Sequence, residues 1–189
     1  MKVSALIERF AKKLPKNLRG PLLEHVTALR ELIEGEIETA RNSPHIETKL
    51  AVTKKVVATC SALCVTVGVE PIPFADFPIL TGLQVLMVGC IMHVSGREIS
   101  RKAIAEFLGA LGLNLGAGLA LREGARATIK LLPGFGGAIS GAIAGGGTYT
   151  LGRAATAYFI EGATLPEVRK LFLMPRLRKP KPPPALPEK

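Results

Sequence analysis

Cys60 and Cys64 stand four residues apart and Cys90 and His93 three apart, so each pair would share one face of a helix. Thiolates and an imidazole are zinc ligands, which makes this quartet the first chemistry to test. If residues 56–69 and 77–96 form an antiparallel hairpin folded near Pro73, Cys90 falls opposite Val56. Cys60 then lies about 6 Å further along and Cys64 about 12 Å, too spread to converge on one ion at roughly 2.0–2.3 Å. The cysteines read better as small hydrophobes within apolar runs, and His93 as a buried or interfacial polar residue. Ser61, Ser95 and Ser140 have no identifiable oriented base, and His25, His45 and His93 have no recurrent carboxylates around them. Glu70 and Asp76 can approach each other across a turn, but capping and solvent exposure account for both.

Phosphate chemistry fares no better. Gly141 and Gly146 have the Walker spacing, yet Gly147 occupies the lysine position before Thr148, so no side-chain charge reaches a terminal phosphate. Gly134-Phe135-Gly136 lacks the third glycine of a dinucleotide fingerprint, because Ile139 stands there. No catalytic residue, metal or cofactor is assigned, and the chain reads as non-enzymatic.

The elements that carry these residues are more informative. Residues 56–69, 77–96, 107–121 and 131–152 are four long runs dominated by apolar and small residues. The first two are separated by Pro71-Ile72-Pro73-Phe74-Ala75-Asp76-Phe77-Pro78, a rigid turn in which Asp76 is placed to cap the following helix. Fourteen residues of helix make about 21 Å, short of the roughly 30 Å hydrocarbon layer, whereas 77–96 spans about 30 Å. In the last run Gly137, Gly141 and Gly145 recur at every fourth position, lining one helix face for close approach of a neighbour. In water each glycine lowers helicity by about 1 kcal/mol against alanine. That cost is easier to meet in a helix locked by neighbours or lipid, so bilayer embedding is favoured over a soluble, tightly packed bundle. The Gly and Ala content of the runs argues against strands.

Composition agrees without deciding. The 189 residues contain 20 Gly and no Trp, with an aromatic fraction of 5%. The net charge of +10 is concentrated at the ends: 11 Lys/Arg against 7 Asp/Glu in residues 1–55, and 7 against 2 in the last 24. Such ends suit anionic headgroups or another acidic surface. Nucleic acid is not favoured, since aromatics are not interleaved with the basic residues. Lys54/Lys55, Arg97/Arg101/Lys102, Arg122/Arg126/Lys130 and Arg153 flank the apolar runs, compatible with hairpins entering from the cytoplasmic side; lying at nearly every gap, they do not choose among two crossings, four crossings and shallow hairpins. Met1–Lys16 has no uninterrupted apolar core of a secretory signal, which predicts a cytoplasmic start.

Before the apolar runs, Val3, Leu6, Ile7, Phe10 and Leu14 form one amphipathic stripe. A second stripe, Leu22, Val26, Leu29, Ile33, Ile37 and Ala40, has an acidic outer side at Glu31, Glu34, Glu36 and Glu38, which favours packing on protein. Asn42-Ser43-Pro44 ends it and can start a helix running to Val69. At the other end, residues 175–189 are basic and proline-rich, and read as extended.

Residues 71–84, from Pro71 to Gln84, with Met87 and Gly96-Arg97, resemble a bacterial family of unknown function often attached behind small GTPase domains. Leu132-Pro-Gly-Phe-Gly-Gly137, then Thr148, Leu151-Gly-Arg153, Ala154-Ala155 and Tyr158-Phe159, resemble its second signature. The likeness covers roughly residues 49–162 and implies a helical, membrane-associated protein with no established activity. It places Asp76, Thr81 and Gln84 in the polar part of the first signature, and Gly134, Gly137 and Arg153 in the second. The 48 residues before it are too short for a GTPase and lack a phosphate loop, so the resemblance implies a standalone accessory module.

The expected architecture is an all-α helical bundle with membrane-embedded or hairpin helices. It divides into an amphipathic N-terminal region (1–43), a helical core (44–165) and a basic tail (166–189). The motif and packing positions are Pro71, Pro73, Phe74, Asp76, Thr81, Gln84, Gly134, Gly137, Gly141, Gly145 and Arg153. Expected partners are a separate GTPase or another protein, anionic lipids and further copies of the chain, with the N-terminal region and tail cytoplasmic. A purely structural bundle and a small-solute transporter are the competing readings.

Overall fold

Asn42-Ser43-Pro44 breaks the chain as its residue types predict. Ser43 is extended, at φ −73° and ψ 133°, as a residue before proline prefers, and its Oγ accepts from the His45 N–H at 3.2 Å. The computed structural model describes residues 33–69, 77–111 and 136–173, together with Glu8 and Glu31. Among them are six α-helices and no strand, so the fold is an all-α helical bundle. A π-helical turn over Ile33–Ile37 leads into α1 (Glu38–Asn42), followed by α2 (Ile46–Val69) and α3 (Phe77–Val94). Then come α4 (Arg101–Ala110), α5 (Gly136–Phe159) and α6 (Leu165–Leu173). The first amphipathic stripe, most of the second and the proline-rich end lie outside the described residues.

Local capping fixes three of the helix ends. After α3, Gly96 sits at φ +90°, where its N–H donates to His93 at 2.9 Å and the Arg97 N–H donates to Met92 at 3.2 Å. These are the two bonds of a Schellman turn, and the left-handed position favours a residue without Cβ. At the start of α4, the Ser100 hydroxyl accepts from the Ala103 N–H at 3.4 Å. At α6, Glu167 Oε2 accepts from both the N–H and the hydroxyl of Thr164, each at 3.0 Å. That helix packs on α5 and fully buries Val168, so the packed core crosses residue 165.

The centre of the bundle is α3. Every residue from Leu86 to Val94 is buried, which explains why this segment is apolar on all sides. Helices α2 and α5 flank it, while the π-helical turn and α1 cover it with Ile37 and Ala40. Its all-round apolarity is thus met largely within the protein. Helix α4 is held by Phe107, whose ring stacks on Tyr158 at 5.3 Å and meets Phe159 at 5.1 Å. The Arg97 guanidinium covers the same cluster, 5.3 Å from the Phe159 ring centre.

Candidate membrane-facing surface and its helix seam

The seam between α2 and α5 is built from glycine against backbone. A Cβ added to Gly137 would lie 2.7 Å from the carbonyl oxygen of Val69, one on Gly141 3.0 Å from that of Val65, and one on Gly145 3.1 Å from that of Ser61. Three glycines ascending in fours therefore face three carbonyls descending in fours, and the helices run antiparallel. From the opposite side, a Cβ on Gly68 would stand 2.8 Å from the Gly141 Cα. Backbones this close gain dispersion contacts, and their geometry suits weak Cα–H···O contacts as well. The predicted packing face of Gly137, Gly141 and Gly145 is thus brought together with a specific partner. Gly152 joins the same seam against Val57, and Gly146, with nothing within 4 Å, stands outside it.

The seam also buries Ser61, whose hydroxyl has no hydrogen-bond partner. An unsatisfied buried hydroxyl costs about 1–3 kcal/mol. Ser61→Ala is therefore expected to raise stability by about 1 kcal/mol, measured by thermal unfolding. A loss of stability would show that the hydroxyl is bonded.

Helices α3 and α5 run parallel, since Gln84 meets Thr148 and Met87 meets Gly152. The Gln84 amide donates to Thr148 Oγ1 at 3.1 Å, with Thr148 fully buried. One residue from each sequence signature thus meets the other in space. Thr81 lies one turn before Gln84 on α3, half-buried. Arg153 is exposed on α5 beside the seam. Pro71, Pro73, Phe74, Asp76 and Gly134 lie outside the described residues.

The register sorts charge along the bundle. Val69 lies against Gly137 at one end, and Val57 against Gly152 near the other. Lys54, Lys55 and Arg153 therefore share a level, and His93, Arg97 and Arg101 lie towards the same end. Beyond that level α2 has no charge from Val56 to Val69, α3 none from Phe77 to Met92, and α5 none from Gly136 to Gly152. These lengths are roughly 21–25 Å of helix. Phe77 and Val69, at the charge-free end, are joined by a segment that carries Glu70 and Asp76 in the sequence.

The outward surface of the charge-free length is apolar. On α2 the exposed residues are Ala58, Ala62, Val65 and Val69, the valines at 40% and 47%. On α5 they are Ala138, Ile139, Ala142, Gly146 and Tyr149, with Ile139 at 42% and Tyr149 at 47%. Two hydroxyls near this surface turn back on their own helix: Thr66 donates to Ala62 at 3.2 Å and Thr150 to Gly146 at 2.9 Å. Such back-bonding meets a donor's need where water is scarce. Thr59, half-exposed, makes no such bond. Helix α2 is long and apolar enough to span a membrane, and half of its most apolar stretch is buried within the chain. Helix α3 is apolar but shorter.

A polar cluster at the charged end carries no sequence motif. Arg41 Nη1 lies 2.7 Å from His93 Nδ1, and His93 Nε2 lies 2.8 Å from Glu38 Oε1. The tautomer with its hydrogen on Nε2 accepts from Arg41 and donates to Glu38, tying α1 to the end of α3. Glu36 and Lys55 add a 2.7 Å ion pair between the π-helical turn and α2. The burial of His93 was legible from its apolar surroundings, but partners more than fifty residues away were not. Cys60, Cys64 and Cys90 are buried and not joined by disulfides, and no group of three His, Cys, Asp or Glu able to hold a metal occurs among the described residues.

No family model, curated protein or solved structure matches this sequence. The likeness to a GTPase-associated family rests on the two motifs alone.

Proposed function

We propose that this chain is a non-enzymatic, membrane-associated helical module that couples a separate GTPase, or another protein, to a lipid surface. The observation that carries the membrane part is the charge-free length of α2, α3 and α5, with Ala, Val, Ile and Tyr exposed along it and, among the described residues, the charges gathered towards one end. Surface apolar residues scattered singly need no explanation, but a continuous face bounded by Lys54 and Arg153 does. The positive-inside tendency supports a cytoplasmic side for the Lys54/Arg97/Arg153 end. The GTPase part rests on the resemblance of the two signatures alone.

Cell fractionation tests the first part. The chain is expected to stay with membranes through high salt and carbonate. Complete release as a folded monomer would instead favour a purely structural soluble bundle, a reading favoured by how fully α3 is wrapped by its own chain. Proximity capture with a candidate GTPase, followed by purified reconstitution, tests the second part. Binding that changes the partner's membrane recruitment or GTP turnover is the expected result, and saturable solute flux without any partner would favour transport.

A further inference from the structure

We infer that the outer face of the α2–α5 seam enters the bilayer end-first, with Lys54 and Arg153 seated at the phosphates of anionic phospholipids. This rests on the membrane reading above and adds the surface, the direction of entry and the headgroup. Lys54 and Arg153 are both exposed and share a level across the seam, whereas the neighbouring Lys55 is engaged by Glu36 at 2.7 Å. Among the described residues, neither Lys54 nor Arg153 has a carboxylate within ion-pairing distance, and both cations face outward towards an external anion. Tyr149 lies one turn from Arg153 towards the charge-free end and is 47% exposed, the place where an amphipathic ring prefers the boundary between headgroup and hydrocarbon. Beyond it the outward residues are small and apolar as far as Val69 and Ala138.

Charge separates lipid from a second copy of the chain. Two copies docked in parallel through this face would stack Lys54 and Arg153 on the same cations. Docked antiparallel, they would bring those cations against Val69 and Ile139. An anionic leaflet matches both features, phosphate beside the cations and acyl chains beside the apolar length.

The chain contains no Trp, so single tryptophans at exposed positions can report depth in the full-length protein. Ala62→Trp, Val69→Trp, Tyr149→Trp and Glu47→Trp would be mixed with vesicles of brominated phosphatidylcholine and phosphatidylglycerol, after circular dichroism confirms their helicity. Strong quenching at Ala62 and Val69 is expected, with quenching at Tyr149 strongest for bromines near the headgroup and little at Glu47. Separately, K54Q/R153Q should weaken partition into phosphatidylglycerol vesicles about thirtyfold while leaving partition into pure phosphatidylcholine unchanged. The charge-matched R169Q/K170Q on α6 should have a much smaller effect. Membrane-bound protein whose tryptophans at Ala62 and Val69 are quenched no more than at Glu47 would overturn this face while leaving the membrane reading standing. Equal losses from the two charge pairs would overturn the headgroup assignment, and protein-concentration-dependent shielding of Ala62 would point to a second copy instead. Failure of every variant and of the unaltered chain to bind any vesicle would remove both readings together.

Discussion

Gly141→Leu is expected to drive α2 and α5 apart, with a loss on the order of 4 kcal/mol or more. Even a Cβ at this position would stand 2.8 Å from Val69 Cγ2 and 3.0 Å from the Val65 carbonyl oxygen. The valine methyl can rotate, but the carbonyl belongs to a hydrogen-bonded helix and cannot. Leucine adds three further carbons to a gap already closed by backbone. Gly141→Ala should therefore be milder, costing about 2 kcal/mol after its gain in helix propensity. Gly146→Ala supplies the opposite sign, because nothing lies within 4 Å of the added carbon. That substitution should stabilise by about 0.5–1 kcal/mol, a rise of a few degrees in melting temperature. Thermal unfolding followed by circular dichroism, in a medium where the unaltered chain is folded, reads all three. Similar tolerance of Gly141→Leu and Gly146→Ala would show that the two glycines occupy equivalent surroundings and that the close seam does not exist.

Phe107→Ala is expected to cost about 3–5 kcal/mol, within the range for removing a buried aromatic ring. Phe107 is 3% exposed and is the side chain through which α4 reaches both Tyr158 and Phe159 on α5. Its loss removes two ring–ring contacts and leaves Tyr158 and Phe159 partly uncovered beneath Arg97. The effect should be regional before it is global. Hydrogen exchange is expected to rise first in residues 101–110, with the α2–α5 seam still protected. Phe107→Leu keeps most of the apolar volume and should recover much of the stability. An unchanged exchange pattern in α4 after Phe107→Ala would mean that other contacts hold that helix in place.

Much of this protein is determined locally and was legible in the sequence. Helix identity in the core follows from the length and the Gly and Ala content of the apolar runs, and the break before α2 from Pro44, whose ring acts on the backbone of Ser43. The every-fourth spacing of Gly137, Gly141 and Gly145 marked a close-packing face, because helical geometry turns that spacing into adjacency. The π-helical turn at Ile33–Ile37 carried no readable signal, since its hydrogen-bond shift has no composition of its own.

Tertiary structure decided which faces met which. Gly68 and Gly152 belong to the seam and Gly146 does not, although nothing in residue type separates them. Gly152, seven residues after Gly145, returns to the same face of α5, whereas Gly146 lies about 100° round from it; which group of α2 each seam glycine meets is set by the axial register of two segments more than sixty residues apart. Length in the sequence favoured 77–96 over 56–69 as a crossing, yet α3 is enclosed by its neighbours from Leu86 to Val94 while α2 and α5 keep an outward apolar face. Apolarity records only that a side chain avoids water. Whether protein or lipid replaces the water depends on what packs beside it, and only the arrangement of the helices contains that information. The same reasoning covers the Gln84–Thr148 bond and the Glu38–His93–Arg41 cluster, whose members acquire partners only when the helices are brought together.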